Sequence, residues 1–456
     1  MATYSKIMQK GIDLHSESKE YKNEILKTLI LLALPTMAEE VLHTLLLYVD
    51  TAMVGHLGEK ATAAVSCTTT ITWLVSCVPH SISVLFLALI ARNCGAGNRK
   101  ETKRLSGQAL SMSLAAGIFM TVLCIALSPY IPIWMHAEED VQPNATMYFA
   151  ILSVSYLFRT LNISFGAALR AVKDTKTPML INLGENISNV FLNAVFIYVL
   201  KLGVPGAAMA SSISYIISGV LMVLCARKND LLKFTLPDLK LDRGILNNFA
   251  NIGLPALLTT VASCSGHVVF AGMVSGMGTT VFAAHSLAVT AEELFYIPGY
   301  GLRMATSSLI GNAIGEADER KRKAVEKQSI HLTVALMCLT GVTLYLIANP
   351  IMRLFTPVDE VVVLGAMMLR IVAFTEPFYG LMIVVEGIFY GAGRTKSILA
   401  VETFSMWCIR IVFTYLCTHV WGCTLQEIWY CMIADNIFKA VVLYGIYRLR
   451  KHYPNC

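Results

Sequence analysis

The chain has 456 residues, of which 55% are hydrophobic and only 14% charged, with a formal net charge of +6. A soluble domain is usually about 25% charged, so an ordinary soluble fold is excluded and most of the chain must face lipid or other apolar helices. The twelve cysteines include no Cys-x-x-Cys pair and lie mostly in apolar runs, where they act as small hydrophobes rather than metal ligands or disulfide partners.

The first 26 residues are polar and dotted with lysine. They show no apolar core or small-residue cleavage site, so no cleaved signal peptide is expected. Ala2 stands where N-myristoylation needs glycine, and Tyr453-Pro454-Asn455-Cys456 is not a prenylation box. Apolar runs then predict twelve membrane-spanning helices. They lie near 27–55, 61–91, 105–127, 146–169, 179–200, 205–226, 249–275, 280–313, 328–349, 360–390, 398–420 and 425–447. The expected fold class is an all-α integral membrane protein, two six-helix bundles related by a pseudo-two-fold axis. The expected lobes are 1–235 and 236–456, with 227–245 as the linker.

The first of these helices is unusual. "LPTMAEEVLHTLLLYVDTAMVGHLG", Leu34 to Gly58, carries Glu39, Glu40, His43 and Asp50, and intramembrane acids are costly enough that they mark function by default. At 100° per residue Glu39, His43 and Asp50 share one face, with Thr36, Glu40, Thr44 and Thr51 beside it. Such a stripe should face a cavity or another polar helix. The fifth helix offers a partner, because Asn182, Asn186, Asn189 and Asn193 form one amide face with Glu185 one turn before Asn189. Amides hydrogen-bond a carboxyl group in either protonation state, which suits a group that must titrate. Farther on, His285, Glu292 and Arg303 share a face of a straight eighth helix, and Glu376 and Glu386 lie in the tenth. These acids would attract a cationic substrate or form internal ion pairs with Arg303 or Arg370. Asp435 and Lys439, four apart in the last helix, read as a structural pair.

Connecting segments alternate in charge. One side collects Lys22 and Lys27, then Arg92 to Arg104, Arg170 to Lys176, Arg227 to Arg243, Arg320 to Lys327, Arg394, Lys396 and Arg448 to Lys451. The other holds only Lys60, Lys201 and Arg353, beside the acidic run Glu138-Glu139-Asp140. The bias places both termini in the cytoplasm and makes the basic loops topology signals, so no nucleic-acid partner is expected. The halves also repeat. Residues 34–66 align with 254–286 at a constant offset of 220, matching Leu34-Pro35 to Leu254-Pro255, Met53-Val54 to Met273-Val274 and Gly58 to Gly278. Parallel repeats of this kind point to a secondary transporter with its site between or within the lobes.

The opening motif, "GAALRAVKDTKTPMLINLGENISNVFLNAVFI" followed by "GVPGAAMASSIS", and "EGIFYGAGRTK" together resemble the multidrug and toxic compound extrusion (MATE) transporters, over nearly the whole chain. The resemblance implies two bundles around a central cavity and alternating-access export of small organic, often cationic, compounds against inward proton or sodium flow. Asp50 matches the first-helix aspartate of the proton-coupled DinF-type branch, and Asn189 and Asn193 match its Asn-x-x-x-Asp pair. Asn193 is an amide where some relatives have a carboxylate. NorM-type relatives carry a seventh-helix carboxylate where this chain has Ser263, which favours coupling in the N-terminal lobe. The expected coupling set is therefore Asp50, Asn189, Asn193 and Glu185. Glu39, Glu40, His43, Asn182, Asn186, Glu292, Glu376 and Glu386 are the expected cavity residues. No enzyme activity, metal or organic cofactor is expected, the coupling ion apart. The protein is expected to be a monomer in the bacterial plasma membrane. The rival reading is a lipid-linked oligosaccharide flippase of related fold, whose pyrophosphate substrate calls for a basic cavity.

Overall fold

The computed structural model describes residues 2–452, with side chains described for 20–449 other than Leu47. Expectations resting on residues 1–19, on Arg450 and Lys451 and on 453–456 lie outside these side chains. Besides the short helical turns Ile131–Trp134 and Leu236–Leu239, twelve long helical units follow one another among the described residues. They are α1 (Ala2–Gly55), α2 (Glu59–Gly95), α3 (Arg99–Leu127), α4 (Gln142–Val154 with Tyr156–Ala171), α5 (Lys176–Val199) and α6 (Gly203–Lys228). The second six are α7 (Arg243–Ser275), α8 (Thr279–Gly315), α9 (Glu319–Phe355), α10 (Asp359–Ala373 with Glu376–Gly391), α11 (Thr395–Trp421) and α12 (Leu425–His452). Ten of these are long and apolar enough to span a membrane, counting each bent pair once. The other two, α1 and α8, have apolar runs broken by Glu39, Glu40 and Asp50 and by Glu292, Glu293 and Arg303.

Helix ends repeat between the halves with the offset seen in the sequence. Left-handed backbone occurs at Gly58 and Gly278, at Gly97 and Ala317, and at Lys173 and Gly393. Asn98 caps α3 by accepting from the Glu101 amide, and Asp318 caps α9 by accepting from the Lys321 amide at 2.8 Å. Both caps lie outside the apolar runs, so α3 and α9 begin earlier than hydropathy predicts: a capped, charged first turn stays helical in water. Two predicted single helices are instead broken. α4 turns by 47° at Ser155 and α10 by 58° at Phe374-Thr375. Pro377 leaves the second half of α10 without one amide donor. In α4 the Ser153 and Ser155 hydroxyls donate to the Phe149 and Leu152 carbonyls, which loosens the helical ladder.

Each half closes on itself through α2–α4, α4–α6 and α5–α6, and through α8–α9, α8–α10 and α10–α12. Residues 229–242 lie along α3, where Ser111 donates to the Leu239 carbonyl at 2.6 Å and Gln108 to the Lys240 carbonyl at 3.2 Å. Contact between the lobes is uneven along the membrane normal. In the half nearer the basic loops, one apolar core joins Leu29, Leu32 and Val84 of one lobe to Leu302, Leu309 and Ile388 of the other. In the opposite half the cores are separate, one around Trp429 and Phe270 and others around Tyr148 and Phe149.

The seal at the basic end is a crossing of α2 and α8. A Cβ on Gly315 would lie 1.9 Å from the Arg92 carbonyl oxygen, and one on Gly95 would lie 2.0 Å from the Asn312 carbonyl oxygen. Neither backbone can retract, so Gly315→Ala should prise the lobes apart at this end. The expected readout is faster maleimide labelling of Cys94, beside the crossing, at unchanged fold; an unaltered labelling rate would contradict the steric reading.

Candidate functional site

α1 is the helix on which the site is built, because it packs both on α5 of its own lobe and on α8 of the other. Asp50, half-buried, accepts from Asn193 Nδ2. Asn193 is fully buried, and the same Nδ2 donates to Asn189 Oδ1 at 3.1 Å, while Asn189 donates to Ser211 Oγ on α6 at 3.0 Å. Among the described residues Asn193 Oδ1 has no donor. That vacancy is chemically useful. An ionised Asp50 takes the amide N–H, whereas a protonated Asp50 needs an acceptor, and a flip of the Asn193 amide supplies the free oxygen. A wide π turn, Ala194–Val199, begins directly after Asn193; such turns recur at functional positions.

A second cluster, centred on Glu39 and Asn182, lies about three turns nearer the basic end. Arg170 donates to both Glu39 carboxylate oxygens at 2.7 Å, and Asn182 donates to Oε1 at 2.5 Å. Asn162 of α4 sits within reach of Asn182 Oδ1, Glu185 Oε2 and Ser218 Oγ at 2.8–3.0 Å. Its two N–H groups must choose among three acceptors, so the cluster has alternative hydrogen-bond patterns. The fifth-helix amide face is therefore split in two. Asn182 and Glu185 belong with Glu39, Asn189 and Asn193 belong with Asp50, and among the described residues Asn186 makes no side-chain hydrogen bond between them. Arg170 also departs from its sequence reading as a loop cation: only 13% of its side chain is exposed, and it is turned inward as the counter-ion of Glu39.

In the second lobe the acids take different surroundings. Glu386 is buried and paired with Arg303 at 3.2 Å. Glu292 accepts from Tyr296, whose ring packs at a 37° tilt against Tyr379 with centroids 4.2 Å apart, and the Tyr379 and Tyr300 hydroxyls meet at 2.9 Å. Glu376, 1% exposed, has no hydrogen bond to either carboxylate oxygen among the described residues. Asp435 is bound on several sides, by Arg410 at 2.7 Å, Lys439 at 3.2 Å and the Ser405 hydroxyl at 2.5 Å. This is the structural pairing expected of Asp435 and Lys439, enlarged by an arginine.

The space between the lobes is lined by acids. Glu40 and His43 are exposed on α1, and Glu40 lies within electrostatic range of both Arg170 and Arg303, one in each lobe. Glu293 of α8 is also exposed and within range of Tyr48 on α1. Sequence reasoning passed over Glu293 in favour of Glu292, although the adjacent Glu-Glu pair inside an apolar run was visible. It also passed over Asn162, whose helix shows no polar stripe. Among the described residues no three His, Cys, Asp or Glu side chains converge to hold a metal ion.

Two like bundles, a seal at one end and polar groups held between them are the architecture of a multi-pass membrane transporter. The MatE family model matches residues 35–199 and 255–416, one match in each half, and the chain belongs to that family. It is 27% identical to the probable multidrug resistance protein NorM of Thermotoga maritima, over 93% of this chain and 92% of that protein. It is 24% identical to the probable multidrug resistance protein YpnP of Bacillus subtilis, over 87% and 89% of the two chains. Its fold superposes on a solved outward-facing multidrug resistance MATE family transporter of the MOP superfamily with a TM-score of 0.89. That match has 22% identity and covers 95% of this chain and 97% of the other.

Proposed function

We propose that this transporter exports small organic cations across the bacterial plasma membrane in exchange for protons taken up at Asp50, by alternating access of the two lobes. The observation that carries this reading is the Asp50–Asn193–Asn189 chain, a single carboxyl group facing amides that can serve it with or without its proton. The excess of Lys and Arg in one set of loops supports a cytoplasmic location for that end. The sealed end is then cytoplasmic, and the cleft between the separate cores opens outward. Coupling through Asp50, Asn189 and Asn193 follows the DinF-type pattern, with protons rather than sodium as the coupling ion, while Glu185 stands in the neighbouring Glu39 cluster and outside that chain. Glu39, Asn182 and Arg170 form the inner wall of the path, and Glu40, His43 and Glu293 its exposed polar surface.

The cationic preference rests on which charges are free. Glu40 and Glu293 are exposed between the lobes, whereas Arg170 and Arg303 are already engaged by Glu39 and Glu386. A pyrophosphate-linked sugar would meet net negative charge there, which argues against the flippase reading. In the second lobe, a carboxyl buried without a donor is stable only with a proton or a small cation. Glu376 is therefore the alternative coupling position if Asp50 is not used.

Reconstitution decides between these readings. Proteoliposomes with an imposed pH gradient should accumulate or release a fluorescent organic cation, and collapse of that gradient should stop the flux. Transport driven only by sodium would move the coupling away from protons. Gradient-independent movement of lipid-linked sugars would overturn the exporter assignment.

A further inference from the structure

A groove of about 520 Å³ runs between α9, α10 and α12. Neither α7 nor α8, the second-lobe helices most engaged with the first lobe, contributes to its lining. It therefore opens to the membrane and not to the space between the lobes. Its walls are Tyr345, Phe374, Tyr430 and Ile433, with Gln426 at its outer end and Arg370 inside. Phe374 is 72% exposed and lies edge-on to Tyr345 at 5.5 Å.

Arg370 is the anomaly. Arg170, Arg303 and Arg410 each hold a carboxylate, and Arg159 lies over the Tyr215 ring. Arg370 has no hydrogen bond, ion pair or aromatic face among the described residues. A guanidinium in a spanning helix is retained only where something pairs with it. The polar side chains near it are neutral: Gln426 Nε2 donates to the Tyr430 hydroxyl oxygen at 2.7 Å, which leaves the Tyr430 O–H available to donate, and the lining residues include no carboxylate. The groove descends from the first turn of α12 at Gln426 to Ile433, about two helical turns deeper. A long arginine side chain there reaches up toward the headgroup level.

We propose that this groove binds one anionic phospholipid of the leaflet at the end opposite the basic loops. The phosphate pairs with Arg370 and accepts from Tyr430, and an acyl chain lies along Tyr345, Phe374 and Ile433. Charge complementarity selects the headgroup, and the exposed aromatic wall selects a lipid over a soluble anion.

The test uses the purified full-length protein, with bound lipid counted by native mass spectrometry after incubation with phosphatidylglycerol, phosphatidylcholine or inorganic phosphate. The wild type should retain one phosphatidylglycerol in clear preference to phosphatidylcholine. Arg370→Gln should weaken that retention by about tenfold, the scale of one lost charge-assisted hydrogen bond pair. Arg370→Lys, which keeps the charge, should retain most of the preference, and Phe374→Ala, at an exposed position, should weaken both lipids alike. These two variants keep the test open if Arg370→Gln fails to fold. Equal retention by wild type and Arg370→Gln would overturn the site. So would occupation by inorganic phosphate as readily as by lipid, or displacement of the lipid by an exported dye.

Discussion

Asp50→Asn should reduce gradient-driven export to background while leaving expression and thermal stability close to wild type. The substituted amide is nearly isosteric and can still hydrogen-bond Asn193, so the α1–α5 contact survives. Neither it nor Asn193 nor Asn189 can release a proton near neutral pH, so the chain from α1 to α6 loses its only titrating member. Asp50→Glu should recover a fraction of transport, because the charge cycle is kept while the geometry is stretched by one methylene. The measurement is efflux from proteoliposomes under an imposed pH gradient, normalised to folded protein by size-exclusion fluorescence. Full coupled export by Asp50→Asn would remove this residue from the mechanism and direct attention to Glu376.

Asp435→Asn should be the most destabilising of the conservative acid-to-amide changes. Asp435 is fully buried and neutralises Arg410, itself 4% exposed, and shares Lys439 with Glu402, which sits 2.9 Å from the ammonium. Removing one partner of such a buried cluster leaves uncompensated charge and costs about 3–5 kcal/mol. The expected outcome is loss of most folded protein, or a large drop in the melting temperature in detergent. Glu402→Gln should do less, since Lys439 keeps Asp435. A melting temperature for Asp435→Asn equal to that of Glu402→Gln would contradict this account.

Much of the fold was readable because it is written locally. Apolar runs mark the spans, and the offset of 220 that pairs Gly58 with Gly278 reappears as paired left-handed turns. The bends were not readable. A kink at Ser155 depends on which carbonyl a hydroxyl chooses, and Phe374-Thr375 depends on the carbonyls freed by Pro377. Within the candidate site, the polar face of α5 was evident from its four-three-four spacing, but its division into two clusters was not. Periodicity reports which residues share a face and is silent on which neighbours stand opposite them. Arg170 illustrates the limit: in sequence it is one more cation beside Lys173, and only the approach of α1 makes it the partner of Glu39.

The amide at Asn193 also bears on thermodynamics. On the proposed proton-coupled reading, with Asp50 the sole ionisable member of its hydrogen-bond chain among the described residues, one passage through that site carries one proton. Exchange for one monovalent cation is then electroneutral, blind to membrane voltage and driven by the pH difference alone. Each pH unit is worth about 1.4 kcal/mol per proton, enough to sustain roughly a tenfold substrate ratio and no more. A cell using this protein against higher concentration ratios would need a steeper pH gradient rather than a larger membrane potential.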